Sequence, residues 1–284
     1  MKFDIVMQGR FHDFTFDFAI DYADLDYVNK VIISTWKNQK DPYVWLETHP
    51  KIEYVFSDDV DYAADNRNRQ IYSTLQGLKR CTSEFTLKMR TDQFIYIKCL
   101  ERLRDFYDQH KEPVVRYHDN PNMPHNRMCV AGMYKTYPYC PRDHFMMGNT
   151  KDLIEFFDIP LDYQFEFTPE RQKEFNEQGR VMLEDFEWNT RCEVYMGAWY
   201  CAKFDKRVYN HLWNYKKYLT DLAPNLDESM ELSKDIVTRI MKPFPREGVD
   251  FMWPTHGIKN YYYDYQAEVG GQFWAEDTSE WNKD

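Results

Sequence analysis

Lys88, Arg90 and Asp92 alternate along the stretch Phe85-Thr86-Leu87-Lys88-Met89-Arg90-Thr91-Asp92. In an extended strand successive side chains point to opposite faces, so Phe85, Leu87, Met89 and Thr91 share one face and Thr86, Lys88, Arg90 and Asp92 share the other. Two cations and a carboxylate then leave one face at the strand's carboxyl end. A carboxylate there can hold a divalent cation, and the neighbouring cations can neutralise phosphate oxygens. The chemistry suggested is recognition of a nucleoside diphosphate. The plainer reading is a solvated strand face, and the neighbouring segments bear on the choice.

Asp65 or Asn66 can cap a helix whose apolar positions Ile71, Leu75 and Leu78 recur at helical spacing, with Gly77 near its last turn and its end near Arg80. Ahead of it, Phe3–Met7 is a short apolar run opening into Gln8-Gly9-Arg10, the pattern of a buried first strand followed by a tight turn. Asp24–Lys30 reads as a helical turn feeding a second strand, Val31–Trp36. A third, Lys51–Ser57, ends in Asp58-Asp59. Beyond the charged strand, Leu100–His110 reads as helix and Glu112–Tyr117 as a strand whose start Pro113 limits. Residues 118–127 read as loop and Met133–Asp143 as irregular. Asp143–Gly148 is a short apolar strand, and Thr150 caps a helix running to Phe157. A longer amphipathic helical region follows within Asp185–Trp213. Strands alternating with helices predict an α/β fold with a parallel sheet and right-handed crossovers, in which ligands bind beyond the carboxyl ends of the strands.

The bulk properties narrow the function. A chain of 284 residues can bury one large α/β domain. A net charge of −11 argues against coating nucleic acid, which needs a cationic excess, but leaves room for a local basic pocket. Aromatic residues make up 18 % of the chain, enough to supply stacking surfaces for sugars and bases as well as core. The six cysteines show neither Cys-x-x-Cys pairs nor zinc-type spacing and read as thiols of a reducing compartment. No signal peptide and no transmembrane segment is legible, so the expected location is cytoplasmic, in solution or peripheral to a membrane.

Several phrases taken in order resemble the WavE family of lipopolysaccharide-synthesis proteins, which are read as glycosyltransferases of GT-A-like fold. They are Val6-Met7-Gln8-Gly9, Ile32-Ile33-Ser34-Thr35-Trp36, Asn66 through Leu78, and Lys88-Met89-Arg90-Thr91-Asp92, followed by Asp143–Gly148 and Glu193-Val194-Tyr195. The resemblance spans residues 3–200. It implies a Rossmann-type mixed sheet flanked by helices over residues 1–250, with the aromatic segment 251–284 packing on or closing over that domain.

The resemblance also implies transfer of a sugar from a nucleotide-sugar donor to a glycan acceptor, commonly with Mn²⁺ or Mg²⁺ held by an Asp-x-Asp motif. Here Arg90-Thr91-Asp92 keeps Asp at the last position alone, and Arg90 can replace part of the metal's charge against a diphosphate. On this reading Asp92 is the metal ligand, with His256 of Pro254-Thr255-His256-Gly257 a second ligand or an exposed loop histidine. Gln8, Gly9 and Arg10 line the nucleotide pocket, or Gly9 simply makes a turn. Lys88 and Arg90 face the diphosphate. Asn66, Arg69 and Gln70 reach the donor, unless Arg69 pairs with Asp58 or Asp59. Asp143 and Glu193 are the candidate bases for the acceptor hydroxyl, Glu193 being alternatively a helix-surface acid. A non-catalytic carbohydrate- or protein-binding member of the same fold is the competing reading. A nucleotidyltransferase would need a Gly-rich loop and basic run, which are missing.

Overall fold

The structure, a computed structural model, describes residues 1–38, 49–60, 66–111, 113–114, 124–133, 138–161, 192–205, 207–208, 226–244, 251–252 and 254–256. Its elements are β1 (Phe3–Gln8), α1 (Thr15–Ala23), β2 (Val28–Trp36), β3 (Ile52–Ser57), α2 (Arg67–Leu78), β4 (Phe85–Arg90), β5 (Phe94–Ile95) and α3 (Ile97–His110). There follow β6 (Met128–Val130), β7 (Phe145–Asn149), α4 (Thr150–Phe157), α5 (Cys192–Ala202), α6 (Leu226–Ile240), β8 (Met241–Pro243), β9 (Phe251–Met252) and a single helical turn, Pro254–His256.

Seven strands form one sheet in the order β3-β2-β1-β4-β7-β6-β8, and β5 pairs with β9 in a small second sheet. The pairs β1–β2, β2–β3, β1–β4 and β6–β8 are parallel, whereas β7 runs antiparallel to both β4 and β6. The sheet is therefore mixed, as the family resemblance implies for a GT-A-like fold, and not the all-parallel sheet that alternation alone suggests. The order also creates a switch point. From β1 the chain builds outward through β2 to β3, then returns past β1 to lay down β4 on its other side. The carboxyl ends of β1 and β4 consequently flank the crevice where an open α/β sheet binds ligands.

The period-two alternation of the strands divides the core into two layers. Ile5, Met7, Ile33, Leu87 and Met89 pack with Phe18 and Tyr22 of α1 and Leu100, Leu103 and Tyr107 of α3. On the opposite face Val6, Ile32 and Met146 pack with Ile71 and Leu75 of α2, Phe156 and Phe157 of α4, Tyr200 of α5 and Ile236 of α6. Each fully buried apolar side chain of this size contributes about 1.5–3 kcal/mol, so the two layers together fix which face each strand residue takes. Gly77 lets α2 lie close on the sheet, because a Cβ there would sit 2.7 Å from Val6 Cγ1 and 2.9 Å from Ser34 Cβ.

Three local expectations need correcting. The helix before β2 is Thr15–Ala23, and Val28–Lys30, expected to be helical, already belong to the strand. Phe18, Ala19, Tyr22 and Ala23 form its buried stripe, a helical pattern hidden among residues that favour strands. The cap of α4 is Asn149, whose side chain accepts from the Lys151 N–H at 3.0 Å; Thr150 lies one residue inside. Its hydroxyl donates instead to the Ser83 carbonyl, 2.8 Å away. Asn66 does occupy the cap position of α2, but in the left-handed conformation (φ 55°) and with no capping hydrogen bond from its side chain. Asp65, the region expected to be strand after Pro113, most of the loop at 118–127, residues 134–137 and the ends of the 185–213 region lie outside the described residues, as do residues 257–284.

Candidate active site

The turns that follow β1 and β4 are stitched together by backbone and threonine hydrogen bonds. Thr91 N–H donates to the Gln8 carbonyl at 3.0 Å, and its hydroxyl donates to the Arg10 carbonyl at 2.6 Å. Thr15 Oγ1 donates to the Thr91 carbonyl at 3.1 Å and accepts from His12 N–H at 2.9 Å, drawing the start of α1 to the same point. Gly9 sits between these contacts with φ +136°, and a Cβ there would lie 2.7 Å from Thr91 Oγ1. Gly9→Ala therefore adds both backbone strain and a clash; a loss of about 1–3 kcal/mol in urea unfolding is expected. Gln8 is buried at the strand end, while Arg10 is exposed at the mouth of the crevice.

Gln8 and Arg90 are register partners across β1 and β4. Arg90 turns its guanidinium onto Asp92, with Nε donating to Oδ1 at 2.9 Å and Nη2 to Oδ2 at 2.9 Å. Its Nη1 lies 3.7 Å from Asp143 Oδ2. Burial opposes the Arg90 charge, but Asp92 and Asp143 outweigh it and raise its pKa. Thr255, in the turn Pro254–His256, donates from Oγ1 to Asp92 Oδ2 at 3.1 Å. The pairing of β9 with β5 brings that late segment back to the end of β4. The backbone of His256 thus stands one residue from a contact with Asp92.

Lys88 is fully buried and does not open onto the crevice. Its ammonium donates to the Asp143 backbone carbonyl at 2.7 Å and lies 3.8 Å from Asp143 Oδ2, with the ring of Phe157 on α4 at 5.9 Å from its centroid. Gln70 of α2 donates its side-chain amide to the same Asp143 carboxylate. Burial pushes the Asp143 pKa up, yet Lys88 and Arg90, helped by the His144 ring and the Gln70 amide, leave it below the ordinary carboxylate range. Asp143 is therefore charged at neutral pH and knits α2, β4 and the β7 entry together.

The remaining residues singled out in the sequence take different positions. Glu193 lies in the first turn of α5, partly exposed, and its charge reaches both Arg90 and Lys88. Arg69 forks onto Asp59, Nε to Oδ1 at 2.7 Å and Nη2 to Oδ2 at 2.5 Å, and lies 5.6 Å from the Trp36 ring centroid. Its guanidinium holds the Asp59 carboxyl below the usual range. The open alternative for Arg69 is thus an ion pair with Asp59, while Asn66 stays at the start of α2.

His12, Gln93, Arg142 and His144 belong to the same neighbourhood and carried no spacing signal in the sequence. Burial lowers the His12 pKa against the pull of Asp92, with Arg10 and Arg90 adding to the lowering. His144 is buried, its Nδ1 is 2.7 Å from Gln93 Nε2, and Arg142 beside it is buried too.

A metal ion is poorly served here. The one carboxylate left of the Asp-x-Asp pattern, Asp92, has both oxygens in the Arg90 fork. Among the described residues no group of three His, Cys, Asp or Glu side chains converges to hold an ion; the side chain of His256 is outside that description. Nor is any helix among the described residues long and apolar enough to cross a membrane.

Remote likenesses exist among solved structures. S. aureus TarS is 15 % identical over 57 % of this chain and 30 % of its own, with a TM-score of 0.36. HddC from Yersinia pseudotuberculosis is 10 % identical over 59 % and 85 %, at 0.34. The mannosyltransferase PcManGT from Pyrobaculum calidifontis, solved with GDP-Man and Mn²⁺, is 10 % identical over 82 % and 79 %, at 0.35. The chain spans less than a third of TarS. No curated protein matches it in sequence. The family model, by contrast, covers residues 28–213, from β2 through Arg69, Arg90, Asp92, Asp143 and Glu193 of the site just described, and the chain belongs to the WavE lipopolysaccharide synthesis family.

Proposed function

We propose that this chain is a glycosyltransferase that moves a sugar from a nucleoside diphosphate sugar to a hydroxyl of a cell-surface glycan, working from the cytoplasmic side. The observation that carries the reading is the switch point between β1 and β4, where Gly9 and Arg90 flank the crevice, Asp143 lies 3.7 Å from Arg90 and the charge of Glu193 reaches it. Gln8, Gly9 and Arg10 take the nucleotide, and the start of α2, with Asn66, Arg69 and Gln70, borders the donor sugar. Arg90 faces the diphosphate, whose charge grows as the bond from sugar to phosphate breaks. Lys88 supports it from beneath through Asp143.

A base must take the acceptor proton as the new glycosidic bond forms. Of the two carboxylates considered, Glu193 is the more accessible; Asp143, with its depressed pKa and buried partners, suits anchoring better than proton transfer. Residues 1–250 form the catalytic domain in this reading, and the aromatic segment 251–284 closes over it.

The test is a thermal-shift panel of UDP-, GDP- and dTDP-sugars with and without Mn²⁺, followed by release of nucleotide from each donor. A ligand that binds only the folded state raises the melting temperature, so one nucleotide family is expected to shift it and to be hydrolysed slowly without acceptor. No shift and no release with every donor would instead favour a non-catalytic carbohydrate- or protein-binding member of the fold.

A further inference from the structure

Resting on that reading of the donor, we infer that Arg90, oriented by Asp92, takes the place of a divalent ion against the diphosphate, so that nucleotide binding requires no metal.

Three observations lead there. First, both oxygens of Asp92 accept from the Arg90 fork at 2.9 Å, and Oδ2 accepts from Thr255 at 3.1 Å as well. A cation coordinating Asp92 would have to break a bidentate, charge-assisted pair and then sit beside the displaced guanidinium. Second, exposure is inverted relative to a metal-binding carboxylate. The Arg90 side chain is 32 % exposed, whereas those of Asp92 and Asp143 are 9 % and 8 % exposed. The crevice therefore meets a guanidinium, with the carboxylates set behind it. Third, the local cations already balance the local carboxylates. Lys88, Arg90 and Arg142 offset Asp92, Asp143 and Glu193, so among the described residues this cluster leaves no excess negative charge to draw in a divalent cation.

The planar fork suits this task. Arg90 spends Nε and Nη2 on Asp92, which fixes the plane of the guanidinium at the register position beside Gln8 of β1, and its side chain keeps 32 % of its surface exposed. Asp92 is accordingly a positioning residue, and Thr255 steadies it from the returning C-terminal segment.

Isothermal titration of the full chain with UDP, with GDP and with dTDP, in EDTA and in Mn²⁺, tests this. The nucleotide that binds is expected to do so with the same affinity in both buffers, and Mn²⁺ alone is expected to give no binding heat. Arg90→Gln should weaken nucleotide at least about tenfold, while the near-isosteric Asp92→Asn should cost less and stay indifferent to Mn²⁺. Thermal unfolding of both variants checks that each is folded. Nucleotide binding that appears only with Mn²⁺ and vanishes in Asp92→Asn overturns the inference and leaves the transferase reading standing. Failure of all three nucleotides to bind in either buffer overturns the donor reading itself, and this inference with it.

Discussion

Lys88→Met is expected to destabilise the fold by about 3–5 kcal/mol, the usual cost of removing one partner of a buried ion pair. The side chain is fully buried, so the cost does not come from a surface contact that water can replace. Its ammonium holds the Asp143 backbone carbonyl at 2.7 Å and faces the carboxylate at 3.8 Å. Methionine fills much of the same volume but leaves that carbonyl without its donor and weakens the support of a buried carboxylate. Arg90, 3.7 Å from Asp143, and the Gln70 amide remain, which keeps the loss from being larger. The double variant Lys88→Met with Asp143→Asn removes both charges and should be less destabilised than the sum of the single changes, since no uncompensated carboxylate is left. Urea unfolding of the three variants measures the coupling. Equal and additive losses would show that the two side chains do not stabilise each other.

That contact also marks the limit of what the sequence discloses. Alternation along β4 places Lys88 on the correct face, because the period of a strand is two and Leu87 and Met89 had to face the other core layer. It says nothing of depth, and Lys88 lies under Phe157, which comes from a helix 69 residues later in the chain. Gln70 and Asp143 are 73 residues apart, and nothing local to either announces their hydrogen bond. Arg69 is a milder case. The sequence offers Asp58 and Asp59 as partners, and only the fold selects Asp59.

The sheet follows the same division. The runs of β1 to β4 are long enough for apolar patterning to reveal them, whereas β6 and β8, three residues each, are too short to show a period. The direction of β7 is set by the connection that precedes it, so its antiparallel pairing has no signature in Phe145–Asn149. The helix α1 was hidden for a different reason: Phe16, Phe18 and Tyr22 favour strands individually, and tertiary burial overrides that preference.

Acidification is expected to destabilise the protein from below pH 6.5, with His144 as the main cause. Burial, only partly opposed by the Asp143 carboxylate and reinforced by Arg142, Arg90 and Lys88, lowers its pKa from 6.5 to about 3. Gln93 Nε2, a donor, meets Nδ1 at 2.7 Å, which fits a neutral ring carrying its proton on Nε2. Above pH 6.5 the ring is neutral in both folded and unfolded chains and the stability is fully present. As the pH falls from 6.5 towards about 3, the unfolded chain binds a proton that the folded chain refuses. Stability then drops by about 1.4 kcal/mol per pH unit, and the slope ends once the folded ring also protonates. The sign is thus a loss on acidification, opposite to that of a histidine stabilised by an ion pair. Asp143, also held below its ordinary value, adds a loss at the acid end of the same range as it protonates. His144→Gln retains a polar partner for Gln93 and cannot titrate. Its unfolding free energy, measured between pH 7 and 4.5, should lose most of the slope that the unmodified chain shows there. An unchanged slope in the variant would assign the acid sensitivity to the carboxylates and to His12, whose pKa burial also lowers, and return the His144 ring to an ordinary titrating environment.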